Sequence, residues 1–213
     1  MDSREDLTAR ARIRDAALRH FGEHGFDRAT IRGIAATAEV SSGLVRHHFG
    51  SKEALRDACD AHLARVVSEI NDRVRTDLDP APGEGVNYVA VSMAALGPYR
   101  DYIRRALVEG RAEQLFDKIA ELSADWLAES DRKRPDRPVV SRQARATVTT
   151  AMALAVTVLH EHVSRGLGVD VFSPDGEDLL ARVLLDLYSH PMISPDEAAA
   201  LRAGLPRKPR KRQ

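Results

Sequence analysis

Prolines and glycines fall in clusters along this chain, at Pro80–Pro82–Gly83–Gly85, Pro135–Pro138, Gly166–Gly168, Pro174–Gly176 and Pro191–Pro195. Between the clusters, apolar residues recur every three or four positions, the period of an amphipathic helix. No stretch alternates apolar with polar residues between hairpin turns, as paired strands require. The spacing therefore predicts an all-α protein. A first helix is expected from about Thr8 to His24, with Ile13, Ala17 and Phe21 on one stripe and Gly25 as its stop. A second starts from Thr30, an N-cap residue, and carries Ile31, Ile34, Ala35 and Ala38 on its inner face. After the turn Glu39–Val40–Ser41 a third places Val45 and Phe49 inward, and a fourth opens at Ser51–Lys52 and continues to about Asp77. Further helices are expected over about Val86–Leu96, Tyr99–Gly110, Arg111–Ser130, Ser141–Gly166 and Asp178–Ser189. A last one follows Ser194–Pro195–Asp196–Glu197, which reads as a capping box with proline at the first helical position.

Charge excludes less than its distribution does. The 32 basic residues cancel the 32 acidic ones, so bulk charge does not single out a polyanion partner. Five of the basic residues lie in Arg207–Gln213, leaving a mildly acidic body with a strongly basic end, expected to be disordered. A single cysteine, Cys59, cannot form an intramolecular disulfide and suits a reducing compartment. The charge-dense start has no apolar signal-peptide core, and the run Val148–Leu159 is too short to span a bilayer. A cytoplasmic protein is expected, with no membrane partner.

The second and third helices, about eight residues each with a short turn between, have the spacing of a helix-turn-helix. In that unit the first helix holds the second against the major groove of DNA, so the second must be apolar inside and small or polar outside. With Val45 and Phe49 inward, Ser42, Gly43, Leu44, Arg46 and His47 face out. Gly43 allows close approach to a groove wall, Leu44 suits a thymine methyl, and Arg46 reaches a guanine edge or a phosphate. Lys52, in the first turn of the fourth helix with His48 beside it, is placed to attract a phosphate.

The run GFDRATIRGIAATAEVSSGLVRHHFGSKEAL, Gly25 to Leu55, resembles the DNA-binding segment of the TetR family of bacterial repressors. Gly25, Phe26, Thr30, Ile34, Ala35, Ala38, Val40, Ser41, Gly43, His48, Phe49, Lys52 and Leu55 match its pattern. Glu39 departs from it where a turn glycine is usual, and Arg46 where a tyrosine is usual. The resemblance implies that Thr30, Ser42, His48 and Lys52 meet the DNA backbone, and that Arg32, Leu44 and His47 read base edges. It also implies three units: a helix-turn-helix domain over 1–50, a helical ligand-binding and dimerisation domain over 51–205, and the basic tail over 206–213. A homodimer on a palindromic operator, released by a small-molecule effector, follows from the same resemblance.

The segment VTTAMALAVTVL is apolar nearly all round, which suits burial by its own domain on one side and a partner on the other. Ala151, Ala153 and Ala155 permit close helix approach, and Leu180, Val183, Leu184 and Leu187 have heptad-like spacing, so Ala151, Ala155 and those four are the expected dimer interface. Tyr99, Tyr102, Phe116, Trp126, Met152 and His160 are candidates for an effector pocket. Two other functions compete: a ligand-independent architectural DNA binder, and an enzyme using Glu161 with His160 or His162. The chain has no nucleophile elbow, zinc-protease motif or P-loop, so no catalytic residue, metal or cofactor is assigned. His20 and His24 have metal-ligand spacing without a third ligand nearby.

Overall fold

The computed structural model describes residues 4–78, 86–190 and 192–205, and among them every regular element is helical. The basic tail and the proline-glycine cluster at 80–85 lie outside the described residues. The order is α1 (Arg4–His24), α2 (Ile31–Thr37), α3 (Ser42–Phe49), α4 (Lys52–Asp77), α5 (Tyr88–Leu96), a 3-10 turn (Gly97–Tyr99), α6 (Arg100–Val108), α7 (Glu113–Lys133), α8 (Arg142–Val158), α9 (His160–Leu167), α10 (Pro174–Ser189) and α11 (Pro195–Ala203).

Local side-chain chemistry explains most of the helix starts. Thr30, Ser41, Ser51, Asn87, Ser141 and Ser173 each accept a hydrogen bond from the first turn of the helix that follows, satisfying a backbone donor with no partner inside it. At α11 the capping box is complete: Ser194 N–H donates to Glu197 Oε2 at 2.8 Å and Glu197 N–H to Ser194 Oγ at 3.2 Å. Two expectations are corrected. The helix expected over Ser141–Gly166 is divided at Leu159 into α8 and α9. The helix expected from Asp178 begins at Pro174, because Ser173 caps it and proline at the first position needs no donor.

The head of the molecule is α1, α2, α3 and the first turns of α4. Ile13, Ala17, Phe21, Ile34, Ala35, Val45, Leu55, Cys59 and Leu63 form one buried cluster there. Leu55, Cys59 and Leu63 belong to it although they lie after residue 50, so α4 closes the head before it runs on to pack against α5 and α7. The body follows, with α7 against α4 and α8, and α5 against α10. Head and body meet where α6 crosses α1. At Gly22 a methyl group would stand 2.8 Å from the backbone nitrogen of Tyr102, closer than real Cβ contacts, so only glycine permits this crossing.

Candidate nucleic-acid interface and interior cavity

The turn between α2 and α3 closes with a left-handed residue. Val40 N–H donates to Ala35 O at 3.0 Å and Glu39 N–H to Ala36 O at 3.2 Å, the two bonds of a Schellman ending. That ending requires a positive φ at Glu39, and it is +56°. The glutamate therefore keeps the geometry for which glycine is the unstrained residue.

The turn sets the direction of α3. Val45 is buried and Phe49 half-buried, while Gly43, Arg46 and His47, at i, i+3 and i+4, share the exposed face. Ser42, Leu44 and His48 flank it half-exposed, and Thr30 and Arg32 are exposed at the start of α2. Nothing but Ser41 Oγ, at 3.6 Å, comes near the position of a Cβ on Gly43, so the backbone there is open to close approach. Arg10 of α1 is also exposed, with its guanidinium carbon 5.4 Å from the centre of the Phe49 ring. It adds a cation beside α3 that no local sequence signal reveals, since the two residues meet only through the packing of α1 on α3.

Lys52 is engaged within the fold. Its ammonium donates to the carbonyls of Phe26 at 2.9 Å, Ala29 at 3.2 Å and Asp27 at 3.3 Å, and lies 4.5 Å from the centre of the Phe26 ring. All three donors are used in fastening the loop between α1 and α2, so its direct role is structural and only its charge is left to attract a phosphate. The histidine pair on α1 is likewise occupied within the fold. His20 Nε2 is 2.7 Å from Thr37 Oγ1, and burial followed by the neighbouring His24 lowers the His20 pKa.

α6 ties the head to the body. Tyr102 donates its hydroxyl hydrogen to the buried Asp60 carboxylate of α4. Arg105 donates to the carbonyl of Gly22 at 3.5 Å and of Glu23 at 3.4 Å, at the end of α1. Burial raises the Asp60 pKa, against the lowering effects of the Tyr102 hydrogen bond and Arg56. Burial also pushes the Cys59 thiol up, which keeps it protonated and unreactive.

The opposite edge of α6 faces a cavity of about 820 Å³, lined by α4, α5, α6, α7, α8 and α10 and open to solvent on one side. Of the six residues offered as pocket candidates, Trp126 and Met152 lie in its wall. Four other candidates do not. Tyr102 points into the junction with the head; Tyr99 donates or accepts at 3.1 Å with His62 Nε2; His160 packs its ring 5.4 Å from that of Phe172; and Phe116 lies off the wall. One step of a helix is 100°, so Arg100 and Ile103 of α6 face the cavity while Tyr102 turns away. Sequence reasoning passed over the α4 wall, Val67, Ile70, Asn71 and Val74, although their i, i+3, i+4, i+7 spacing continues the apolar stripe beyond the head. Glu161 and His162 are exposed on α9, outside the lining.

The expected seam residues of α10 differ in their surroundings. Leu180 is buried and Leu184 half-buried where they line the cavity, Val183 is half-buried, and Leu187, which also lines the cavity, is 53% exposed beside exposed Leu185 and Tyr188. A further outward apolar stripe lies on α8. Val148, Met152 and Leu159 are 59%, 61% and 49% exposed and, with half-exposed Ala155, recur at i, i+4, i+7 and i+11 opposite buried Ala146 and Thr150. Ala151 borders this stripe and is exposed.

A model of the family described as bacterial regulatory proteins, tetR family, matches residues 13–59. The HTH-type transcriptional regulatory protein RaaS of Mycobacterium tuberculosis is 37% identical over 145 residues, 66% of this chain and 66% of that protein. This chain thus matches slightly under two thirds of that relative's length. Among solved structures, the fatty acid degradation regulator FadR from Bacillus halodurans has a TM-score of 0.61 at 17% identity, covering 86% of this chain and 97% of its own. The TetR-family repressor FadR of Thermus thermophilus, in complex with lauroyl-CoA, has a TM-score of 0.53 at 19% identity, covering 87% and 97%. At these identities the likeness is one of fold.

Proposed function

The chain belongs to the TetR family of bacterial regulatory proteins, and from that premise we propose that it is a ligand-responsive transcriptional repressor. It binds a two-fold-symmetric DNA operator in the cytoplasm as a homodimer and is released when a small molecule fills the cavity. The observation that carries this reading is the position of α6, which presents Arg100 and Ile103 to the cavity and, through Tyr102 and Arg105, holds both α4 and α1 of the head. An occupant that repositions α6 changes how the head is held. It shifts the DNA-bound population only by the difference in its affinity for the two arrangements.

In this reading Gly43, Arg46 and His47 enter the major groove with Leu44, while Thr30, Arg32, Ser42 and His48 flank it. One head buries too little surface for specific binding, and two heads related by a dyad meet successive major grooves. The α8 stripe of Val148, Met152, Ala155 and Leu159 is the proposed dimer seam, flanked by Ala151, because it is an apolar helix face left exposed by the single chain.

Two measurements test the proposal. DNA selected by the protein from a random-sequence pool should contain an inverted repeat, and Arg46→Ala should weaken its binding and relax base preference at one position of each half-site. Val148→Asp should yield a monomer with unchanged helical circular dichroism, because residue 148 is exposed within one chain while a seam would bury two opposed carboxylates at several kcal/mol. A Val148→Asp protein that remains a dimer in light scattering, or a selected pool without dyad symmetry, would contradict it.

A further inference from the structure

The cavity wall carries a single charge. Among the described residues that line it, Arg100 is the one with a charged side chain and there is no aspartate or glutamate. Its guanidinium carbon lies 3.6 Å from the centre of the Phe172 ring, and among the described residues it has neither an ion pair nor a hydrogen bond to a side chain. Stacking on an aromatic face fixes the plane of a guanidinium while leaving its N–H edge open, the geometry that accepts a carboxylate through two parallel hydrogen bonds.

The remaining polar groups of the wall are largely spent within the protein. Ser92 donates to Tyr88 O at 2.9 Å, Ser123 shares a hydrogen bond with Thr150 at 3.1 Å, and Trp126 Nε1 donates to Asn71 Oδ1 at 2.8 Å. Apart from the hydroxyls of Thr157 and Tyr188, the rest of the lining is apolar, with Val67, Val74, Met93, Ile119 and Leu184 representative. The α4 wall runs from Val67 to Val74 and the α7 wall from Leu115 to Trp126, seven and eleven residues of helix, or about 10 and 16 Å at 1.5 Å each. The space is elongated along α7, mostly apolar, and carries its cation at Arg100, at the start of α6.

We infer that the cavity takes a long-chain carboxylic acid, with its apolar chain along α4, α5 and α7 and its carboxylate paired with Arg100. This rests on the reading of the cavity as an effector site and names the effector's chemical class. An acyl chain buries apolar surface along the wall, and the carboxylate gives an unpaired cation at an apolar wall the partner it lacks. The head group then sits in the first turn of α6, the helix that holds the head through Tyr102 and Arg105. A neutral chain of equal length fills the same wall without engaging that turn, and a cationic one is repelled by it.

Trp126 is the only tryptophan of the chain and lines the cavity, so its emission reports occupancy. The full-length protein is titrated, below micelle formation, with dodecanoate, dodecan-1-ol, dodecyltrimethylammonium and the coenzyme A thioester of dodecanoate. Dodecanoate should bind at least tenfold tighter than the alcohol, and the ammonium compound weakest. Arg100→Gln should lower dodecanoate affinity to that of the alcohol while leaving the alcohol's affinity unchanged, and Arg100→Lys should restore part of the preference. Equal binding of alcohol and carboxylate by the unaltered protein would overturn the assignment, as would a carboxylate preference that survives Arg100→Gln. Tighter binding of the thioester than of the free acid, insensitive to Arg100→Gln, would also overturn it, since the anionic groups would then be recognised elsewhere. The selected DNA separates the two levels of argument. Release by dodecanol as readily as by dodecanoate would sink the head-group assignment and leave the regulatory reading standing. Dodecanoate bound through Arg100 with no change in DNA affinity would do the reverse.

Discussion

In the head, Ile13, Ile34, Val45, Leu55 and Leu63 are at most 1% exposed, whereas α5 in the body, apolar at every position but Ser92, has no buried residue at all. Both regions are built from helices with one apolar face. The head closes those faces on each other within about sixty residues. The body leaves them around a space and turns a second stripe, on α8, to the outside. The contrast teaches that part of the body's apolar surface is not spent on its own stability, although Leu115, Ala146 and Val171 are buried there. An occupant of the cavity and a second copy of the chain would each bury part of it, so both would raise the stability of the body by binding the folded form alone.

The sharpest test of this contrast is a pair of truncations. Ile34→Ala removes a fully buried side chain from the head and should cost about 3–4 kcal/mol. Met93→Ala removes a side chain that already borders empty space and should cost under about 1 kcal/mol, since little new cavity is made. Urea titrations of both variants would check the ratio, and equal losses would mean that the cavity is closed in solution.

Lys52→Ala ranks next. Its three carbonyl acceptors would lose a charged donor, and a loss of about 2 kcal/mol is expected in thermal or chemical unfolding. If Lys52 were chiefly a phosphate ligand, stability would hold and only the salt dependence of DNA binding would flatten.

Asp60→Asn probes the junction between the two regions. Burial raises the Asp60 pKa, so the folded chain holds that proton more tightly than the unfolded one. The corresponding stabilisation is fully present below the unfolded carboxylate pKa and is lost as pH rises through the higher folded value. Relative to Asp60→Asn, the unaltered protein should therefore lose stability as pH rises from about 4 toward neutrality. Parallel pH profiles for the two proteins would show that the carboxylate is not titrating at the junction.

The smallest effect is expected at Glu39→Gly. It places the residue suited to a φ of +56° at the Schellman ending and should stabilise the head by about 1 kcal/mol, read as a rise in melting temperature. DNA affinity should hold, because the turn already has the required geometry.

How much of this was readable from the chain varies with the range of the interaction. The helix-turn-helix was legible because each of its parts is local. Thr30 and Ser41 cap the helices they precede, Val45 and Phe49 lie one turn apart, and Gly43, Arg46 and His47 are left outside by the same periodicity. The capping box of Ser194 and Glu197 was readable for the same reason. The cavity was readable only in part. Trp126 and Met152 suggest an apolar site by their type, but Arg100 carries no signal in its own neighbourhood, and its meaning depends on Phe172 being placed beneath it.

By itself the sequence determined the helices, most of their ends and the exposed face of the recognition helix, since these depend on contacts three or four residues apart. The tertiary structure decided what each remaining face looks at. It set the Lys52 ammonium on carbonyls 23 to 26 residues away, and Leu184 in the wall of the cavity. Periodicity states that a helix has an apolar face, but a neighbouring core, a partner subunit and an empty cavity all demand the same residues there. Only the packing of α4, α5, α6, α7, α8 and α10 about one space distinguishes them, because that space is a property of several helices at once and of none alone.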